Sequence, residues 1–139
     1  MSVEDKNKAA SRRGIEEVWN KGNLAIVDEN TAPNYVCHST PEIKGTEGLK
    51  QFATTMRTAF PDYHLTIDHM VAEGDMVATF LTIEGTFKGE VAGMTPTGKK
   101  MKVPSVVLNR YVGGKVVEAW TYNDMLSWYQ QLGIPIPAQ

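Results

Sequence analysis

The chain has 139 residues, of which 42% are hydrophobic, and a formal net charge of −2 with acidic and basic residues interspersed. A chain of this length forms one domain that buries roughly two-thirds of its unfolded surface. We therefore predict a single domain over residues 1–139. The absence of a basic stripe argues against nucleic acid as a partner. No apolar run approaches the roughly 18 residues that a membrane span needs, so we expect no membrane association.

The N-terminal residues and the cysteine count both bear on the cellular compartment. Residues 1–14 are charged and contain no apolar stretch of the kind found in signal peptides. The single cysteine, Cys37, excludes an intramolecular disulfide. These features predict a cytoplasmic protein.

The first 60 residues have mainly helical periodicity. Three helices are predicted, over about residues 2–21, 23–30 and 46–60. Asn23 is the predicted cap of the second helix, and Pro61 ends the third. A brief strand over residues 35–38 separates the second and third helices.

The second half of the chain has the alternation of strands. Four long strands are predicted, over about residues 63–73, 76–89, 99–112 and 115–123. Glycine-containing turns join them at residues 74–75 and 113–114. Helices followed by antiparallel strands predict an α+β fold, with three N-terminal helices packed on one side of a strongly curved sheet. A curved sheet with covering helices encloses a cone that can hold a small apolar molecule.

The last strand leads to a candidate catalytic acid. Val116, Glu118, Trp120 and Tyr122 are predicted to share one face, which continues to Asp124 at the start of a short C-terminal helix. A carboxylate at the mouth of an apolar cavity is partly desolvated, and that suits it to proton transfer near neutral pH. Asp is also a preferred helix N-cap, so Asp124 has a purely structural alternative.

Several short motifs in a fixed order indicate a family. They are the strand that ends at His38, GTEGL at 45–49, AFPD at 59–62, EGD at 73–75, GT at 85–86, PTGK at 96–99, GKVVEAW at 114–120, Asp124 and QLG at 131–133. In this order the chain resembles the SnoaL-like polyketide cyclases, or ester cyclases, of the NTF2-like superfamily. The resemblance extends over nearly the whole chain and implies a cone-shaped NTF2-like barrel with a mostly antiparallel sheet.

The resemblance implies chemistry without a metal or other cofactor. Family cyclases close a ring of an aromatic polyketide ester by intramolecular aldol condensation, so an isomerase or lyase of this type is expected. A carbon acid flanked by carbonyls needs only one positioned base in a shaped apolar slot. The resemblance makes Asp124 the proton-transfer residue. It places His38 in the same cavity, where it would orient the substrate or donate a hydrogen bond to the carbonyl under attack.

The sequence departs from the family at two positions that are often polar. Phe87 stands where a histidine is common, and Phe80 stands where an arginine is common. A more apolar pocket is therefore expected. Its predicted substrate-binding residues are Trp120, Tyr35, Phe80, Phe87 and Met101, with Arg110 as a charged neighbour that could pair with Glu118 across the final hairpin.

Two other functions remain open. The first is a small-molecule-binding protein of the same superfamily without catalysis, in which Asp124 only caps a helix. The second is an epoxide hydrolase of the limonene type, for which Asp68, Arg110 and Asp124 could form the required relay. The superfamily resemblance also predicts a homodimer, formed through an outer sheet patch of Val107, Val117 and Ala119.

Three other patterns favour ordinary structure. Cys37 and His38 are adjacent on a strand and point to opposite faces, which argues against a nucleophile–base pair. The histidines His38, His64 and His69 lack the spacing of a zinc site. Residues 93–100 resemble a phosphate-binding loop, but Pro96 removes a backbone donor from it, so we predict a hairpin turn.

Overall fold

The computed structural model describes residues 1–39 and 41–136. Its helices are α1 (Val3–Arg13), α2 (Ala25–Asn30), α3 (Gly45–Ala59) and α4 (Met125–Leu132), with a π-helical turn at Gly14–Trp19 after α1. Its strands are β1 (Thr31–His38), β2 (Ile43–Lys44), β3 (His64–Glu73), β4 (Met76–Thr86), β5 (Lys100–Val112) and β6 (Lys115–Asn123). The predicted α+β class is confirmed. None of the described helices is both long and apolar enough to cross a membrane.

The helix boundaries follow the capping signals only in part. The Ser2 hydroxyl accepts a hydrogen bond from the Asp5 amide at 3.1 Å, so Ser2 caps α1 as its side-chain chemistry predicts. The predicted single first helix is in fact α1 followed by the π-helical turn. The predicted Asn23 cap is wrong, because α2 begins at Ala25 directly after Leu24 and has no side-chain cap.

The strands form one six-stranded sheet in the order β2-β1-β6-β5-β4-β3. Strand β1 runs parallel to β6, and every other neighbouring pair is antiparallel. The first long strand therefore lies beside the last one, which brings the N-terminal half of the chain against the predicted site at the end of β6. Strand β1 is longer than predicted, since it begins at Thr31.

The two faces of the sheet have different surroundings. We call the side on which the helices pack the helix-covered face; it includes Val77, Leu81 and Val103, which are all buried. The opposite side is called the open face, where Phe80 and Tyr122 remain 40% and 65% exposed. Directly paired residues on neighbouring strands share a face, so the register assigns the other positions to one side or the other.

Register shifts reverse the alternation in two strands. Between β5 and β6 the register shifts at Arg110 and Tyr111, and as a result Val116 and Ala119 are both buried on the helix-covered face. The prediction that Val116 shares a face with Glu118 is therefore wrong. In β3 the register shifts between Ile67 and His69. Val71 is consequently exposed, although strict alternation from Leu65 places it on the buried side.

An aromatic cluster packs between the end of α3, α4 and the sheet. The Phe60 ring stacks on Phe87 with 5.4 Å between centroids and lies 6.1 Å from Trp128. Phe60, Phe87 and Leu132 are fully buried in this cluster. The chain after β4 returns close to the end of α3: a Cβ on Gly89 would lie 2.7 Å from the Thr58 carbonyl oxygen, so this approach needs glycine.

Candidate functional site

Asp124 lies at the junction of β6 and α4. One carboxylate oxygen, Oδ1, accepts a hydrogen bond from the Ser127 amide at 3.1 Å, so Asp124 is the N-cap of α4. Its own amide donates to the Pro104 carbonyl at 3.4 Å. The residue is exposed. The expectation that this carboxylate is partly desolvated is therefore wrong, because its side chain is exposed where the chain leaves β6 to begin α4.

His38 lies on the open face at the end of β1. Its Nε2 is 2.7 Å from Glu118 Oε2 and its Nδ1 is 3.0 Å from Glu42 Oε2. The imidazole also stacks on Trp120 with 5.4 Å between ring centroids. Hydrogen bonds to Glu118 and then Glu42 raise the pKa of His38, since two carboxylates favour the imidazolium. The resemblance implied that His38 and Asp124 share an interior cavity. This expectation is wrong, because His38 lies on the open face.

The other charged partner of this cluster is Arg110. Its Nε lies 3.3 Å from Glu118 Oε1, which confirms the ion pair predicted across the final hairpin. The hydrogen bond from His38, followed by that from Arg110, lowers the pKa of Glu118. All of these groups lie on the open face, so Arg110 and Trp120 are not walls of an interior pocket.

The remaining predicted pocket residues divide between the two faces. Phe80 is on the open face, with its ring 6.2 Å from that of His69, so its assignment to the pocket is wrong. Met101 and Phe87 are buried in the aromatic cluster. Tyr35 lies on the helix-covered face, where burial raises the pKa of its phenol. Tyr35 is two residues before Cys37 on the same face of β1.

Some side chains in the middle of the helix-covered face remain accessible. Val107, Asn109 and Thr121 lie on central strands and face the helices, yet all three retain partial exposure. Val107 and Asn109 are paired with strands on both sides, and Thr121 is paired with Val107 of β5. Accessible side chains under a layer of helices indicate a hollow, as a curved sheet predicts.

Polar side chains cross this part of the sheet. We call them the polar strip: Cys37, Thr79, Ser105, Asn109, Thr121 and Asn123. Cys37 Sγ lies 3.5 Å from Thr121 Oγ1, and the Ser105 hydroxyl donates to Asn123 Oδ1. The strip passes from buried positions at Cys37 and Thr79 to the exposed Asn123, directly before Asp124. Exposure therefore increases along the strip from β1 and β4 to the end of β6.

The sequence contains a partial signal for the polar strip. Ser105, Val107 and Asn109 alternate on β5 with outward residues, and Thr121 and Asn123 do so on β6. The predicted site instead includes Trp120, which shares a face with Glu118, and both residues lie on the open face. Only the strand order decides which of two alternating sets is covered by helices.

The family model described as SnoaL-like polyketide cyclase matches residues 9–132. The chain belongs to the SnoaL-like polyketide cyclase family.

Three known proteins illustrate what this SnoaL-like chain is similar to. The chain is 29% identical over 130 residues to aklanonic acid methyl ester cyclase DnrD of Streptomyces peucetius, which covers 90% of each chain. AclR of Streptomyces galilaeus, described as a proposed hydroxylase, is 30% identical with a TM-score of 0.81 and covers 94% of this chain and 98% of its own. A SnoaL-like protein from Jannaschia sp. CCS1 has the same fold, with a TM-score of 0.88 at 24% identity and coverage of 98% and 97%.

The SnoaL-like chain does not assemble the relay expected of a limonene-type epoxide hydrolase. Asp68 lies on the exposed surface, where its Oδ2 accepts a hydrogen bond from the Thr82 hydroxyl at 2.6 Å. Arg110 pairs with Glu118, and Asp124 caps α4. Each of the three groups has a different partner, so no water-holding relay of these residues is formed.

The SnoaL-like fold also has an open groove of about 470 Å³ where β4 and β5 meet α4. Its lining includes Asp62, Glu84, Lys100, Lys102 and Gln131. Asp62 accepts hydrogen bonds from the amide and hydroxyl of Thr86, both at 2.7 Å, and these lower its pKa. Side chains of both charges line this groove, and the Asp62 carboxylate is already hydrogen-bonded to Thr86, so the groove lacks the character of an apolar ester site.

Among the described residues, no group of three His, Cys, Asp or Glu side chains converges as a metal site. The two members of the Cys37–His38 pair lie on opposite faces. Cys37 is buried beside Thr121, and His38 is bonded to carboxylates on the outside. The geometry therefore gives the thiol no histidine base.

Proposed function

We propose that this SnoaL-like protein is a polyketide cyclase that closes a ring of a small polycyclic ester by intramolecular aldol condensation. The observation that carries the proposal is the polar strip on the helix-covered face, where Asn109 and Thr121 stay partly accessible beside the apolar Val107. A flat ester with several oxygens matches such a surface, because its rings pack on apolar side chains and its oxygens meet hydrogen-bonding groups. The relative DnrD is named for aklanonic acid methyl ester, a substrate of this class.

Asp124 is the proposed base at the rim of this hollow. It directly follows Asn123, the exposed end of the polar strip, and its second carboxylate oxygen is left for the substrate when Oδ1 accepts from Ser127. Asp124 removes a proton from a carbon flanked by carbonyls. The resulting enolate carbon attacks a ketone of the same molecule, and the new alkoxide takes the proton back. All atoms are retained, so the step is an isomerisation that requires no cofactor.

The proposal is tested by incubation of the purified protein with aklanonic acid methyl ester. Ring closure leaves the mass unchanged, so product is identified by a new chromatographic retention time at the same mass and by its absorption spectrum. We expect turnover that saturates with substrate. Binding of the ester without any product, at enzyme concentrations equal to the substrate, would contradict the cyclase function.

A binding protein without catalysis is the second candidate. The observation in its favour is that the Asp124 carboxylate is exposed and caps α4, so its structural role is already accounted for. Substitution of Asp124 separates the two functions, because only the cyclase needs its carboxylate as a base.

A homodimer is proposed through the open face. Two neighbouring rows of this face are apolar. They contain Phe80, Val106 and Tyr122 in one row, and Val71, Ala78, Leu108 and Trp120 in the next. The patch expected from the sequence, Val107, Val117 and Ala119, is wrong, because Ala119 is buried and Val107 packs in the core. A contiguous exposed apolar face of this kind marks an interface, and a second copy presents the same surface by two-fold symmetry.

Leu108→Lys is expected to shift the protein from dimer to monomer, since a lysine at the centre of the open face would be desolvated without a partner charge. The measurement is molar mass by light scattering after size exclusion. Thr66→Lys is the matched control, because Thr66 is exposed near the edge of the same face. A wild-type protein that is monomeric at millimolar concentration would contradict the interface.

A further inference from the structure

Thr79 has a buried hydroxyl group without a hydrogen-bond partner. Its side chain is 0% exposed, and its Oγ1 is the buried side-chain polar atom without a partner among the described residues. Nearly all buried polar atoms in native proteins are hydrogen-bonded, so an exception requires an explanation. Valine has almost the same shape and would remove the unpaired group at this position.

The position of Thr79 connects it to the hollow. It lies on β4 and pairs with Val107 of β5 on one side and with Met70 of β3 on the other. Val107 in turn pairs with Thr121 of β6, and both of these side chains are partly exposed in the hollow. Thr79 is thus one strand away from accessible surface on the same face. Met70 is unbranched, so its thioether can shift to admit a ligand edge.

We propose that the Thr79 hydroxyl donates a hydrogen bond to an oxygen of the bound ligand and so selects ligands with a carbonyl or hydroxyl directed at the centre of the sheet. This inference rests on the proposed function, because it assumes that the hollow binds an oxygenated polycyclic molecule. The unpaired hydroxyl has a free donor hydrogen, which the ligand oxygen would accept. A hydrocarbon ring system of the same shape leaves the Thr79 hydroxyl unpaired, so this hydroxyl adds nothing to its binding free energy.

The test compares two flat probes that differ only in their ring oxygens. Anthraquinone-2-sulfonate carries two carbonyls, and anthracene-2-sulfonate carries none. We expect the wild-type protein to bind the quinone more tightly. Thr79→Val should weaken quinone binding about two- to tenfold, the effect of one net hydrogen bond, and leave hydrocarbon binding unchanged. Both dissociation constants are measured by isothermal titration calorimetry.

Thr79→Ser is the control, since it retains the hydroxyl and loses only a methyl group. It should retain the preference for the quinone. Thermal unfolding without ligand should show Thr79→Val to be as stable as wild type or more so, because no hydrogen bond is lost there. Equal quinone affinity in wild type and Thr79→Val, or no binding of either probe to wild type, would overturn the inference. A quinone preference that depends on Thr79, without turnover of the ester, would instead count against the cyclase function alone.

Discussion

Asp124→Asn should reduce the rate of ring closure by about 10²- to 10⁴-fold, the range that a positioned general base contributes. The same change should leave the melting temperature nearly unchanged. Asparagine caps helices about as well as aspartate, so its side-chain oxygen can still accept the Ser127 amide. This substitution therefore removes the base and keeps the cap. The measurements are the single-turnover rate with aklanonic acid methyl ester and a thermal unfolding curve.

Asp124→Ala supplies the matched comparison. It removes the cap as well as the base, which costs about 1 kcal/mol of unfolding free energy and lowers the melting temperature by roughly 3–5 °C. If Asp124 only caps α4, Asp124→Asn will turn over at the wild-type rate and only the alanine variant will show a change. If it is the base, both variants lose activity and only one loses stability.

Phe60→Ala should lower the free energy of unfolding by about 3–5 kcal/mol. The ring is fully buried and stacks on Phe87 and against Trp128, so its loss leaves a cavity where α3, α4 and the sheet meet. Because these contacts also hold α4 in place, the variant should bind anthraquinone-2-sulfonate more weakly. Denaturant unfolding at 25 °C gives the free energy.

Phe52→Ala is the appropriate control for this loss. Phe52 lies on α3, the helix that ends directly before Phe60; its side chain is 40% exposed, and its ring packs edge-on against Trp19 with 5.7 Å between centroids. Removal of a half-exposed ring leaves no closed cavity, so we expect a loss of about 1 kcal/mol or less. Similar losses in the two variants would contradict the view that the cluster around Phe60 fixes α4.

The open face illustrates how a correct pattern can lead to a wrong site. Glu118, Trp120 and Tyr122 do share a face, and Arg110 does pair with Glu118. Period-two alternation establishes which side chains lie together, but it contains no information about which set the helices cover. The helices cover the other face, so His38 and Trp120 form an ion-paired and stacked cluster outside the hollow.

The polar strip was missed for a related reason. Its members come from β1, β4, β5 and β6, and each of them alone is an ordinary serine, threonine, asparagine or cysteine. They become a surface only when β1 inserts beside β6 and the register aligns Thr79, Val107 and Thr121 in one row. The register shift at Arg110 and Tyr111 further changes which residues of β6 face inward, and no single residue there signals it.

Local patterns along the chain were sufficient for the α+β class, the helix-then-strand order, the long antiparallel strands and the capping capacity of Asp124, because periodicity, turn glycines and cap chemistry act between residues that are near in sequence. The sheet order, the covered face and the environment of Asp124 were decided by tertiary structure alone. These depend on pairing between strands far apart in sequence and on the packing of helices against one side, and neither is encoded in any short segment.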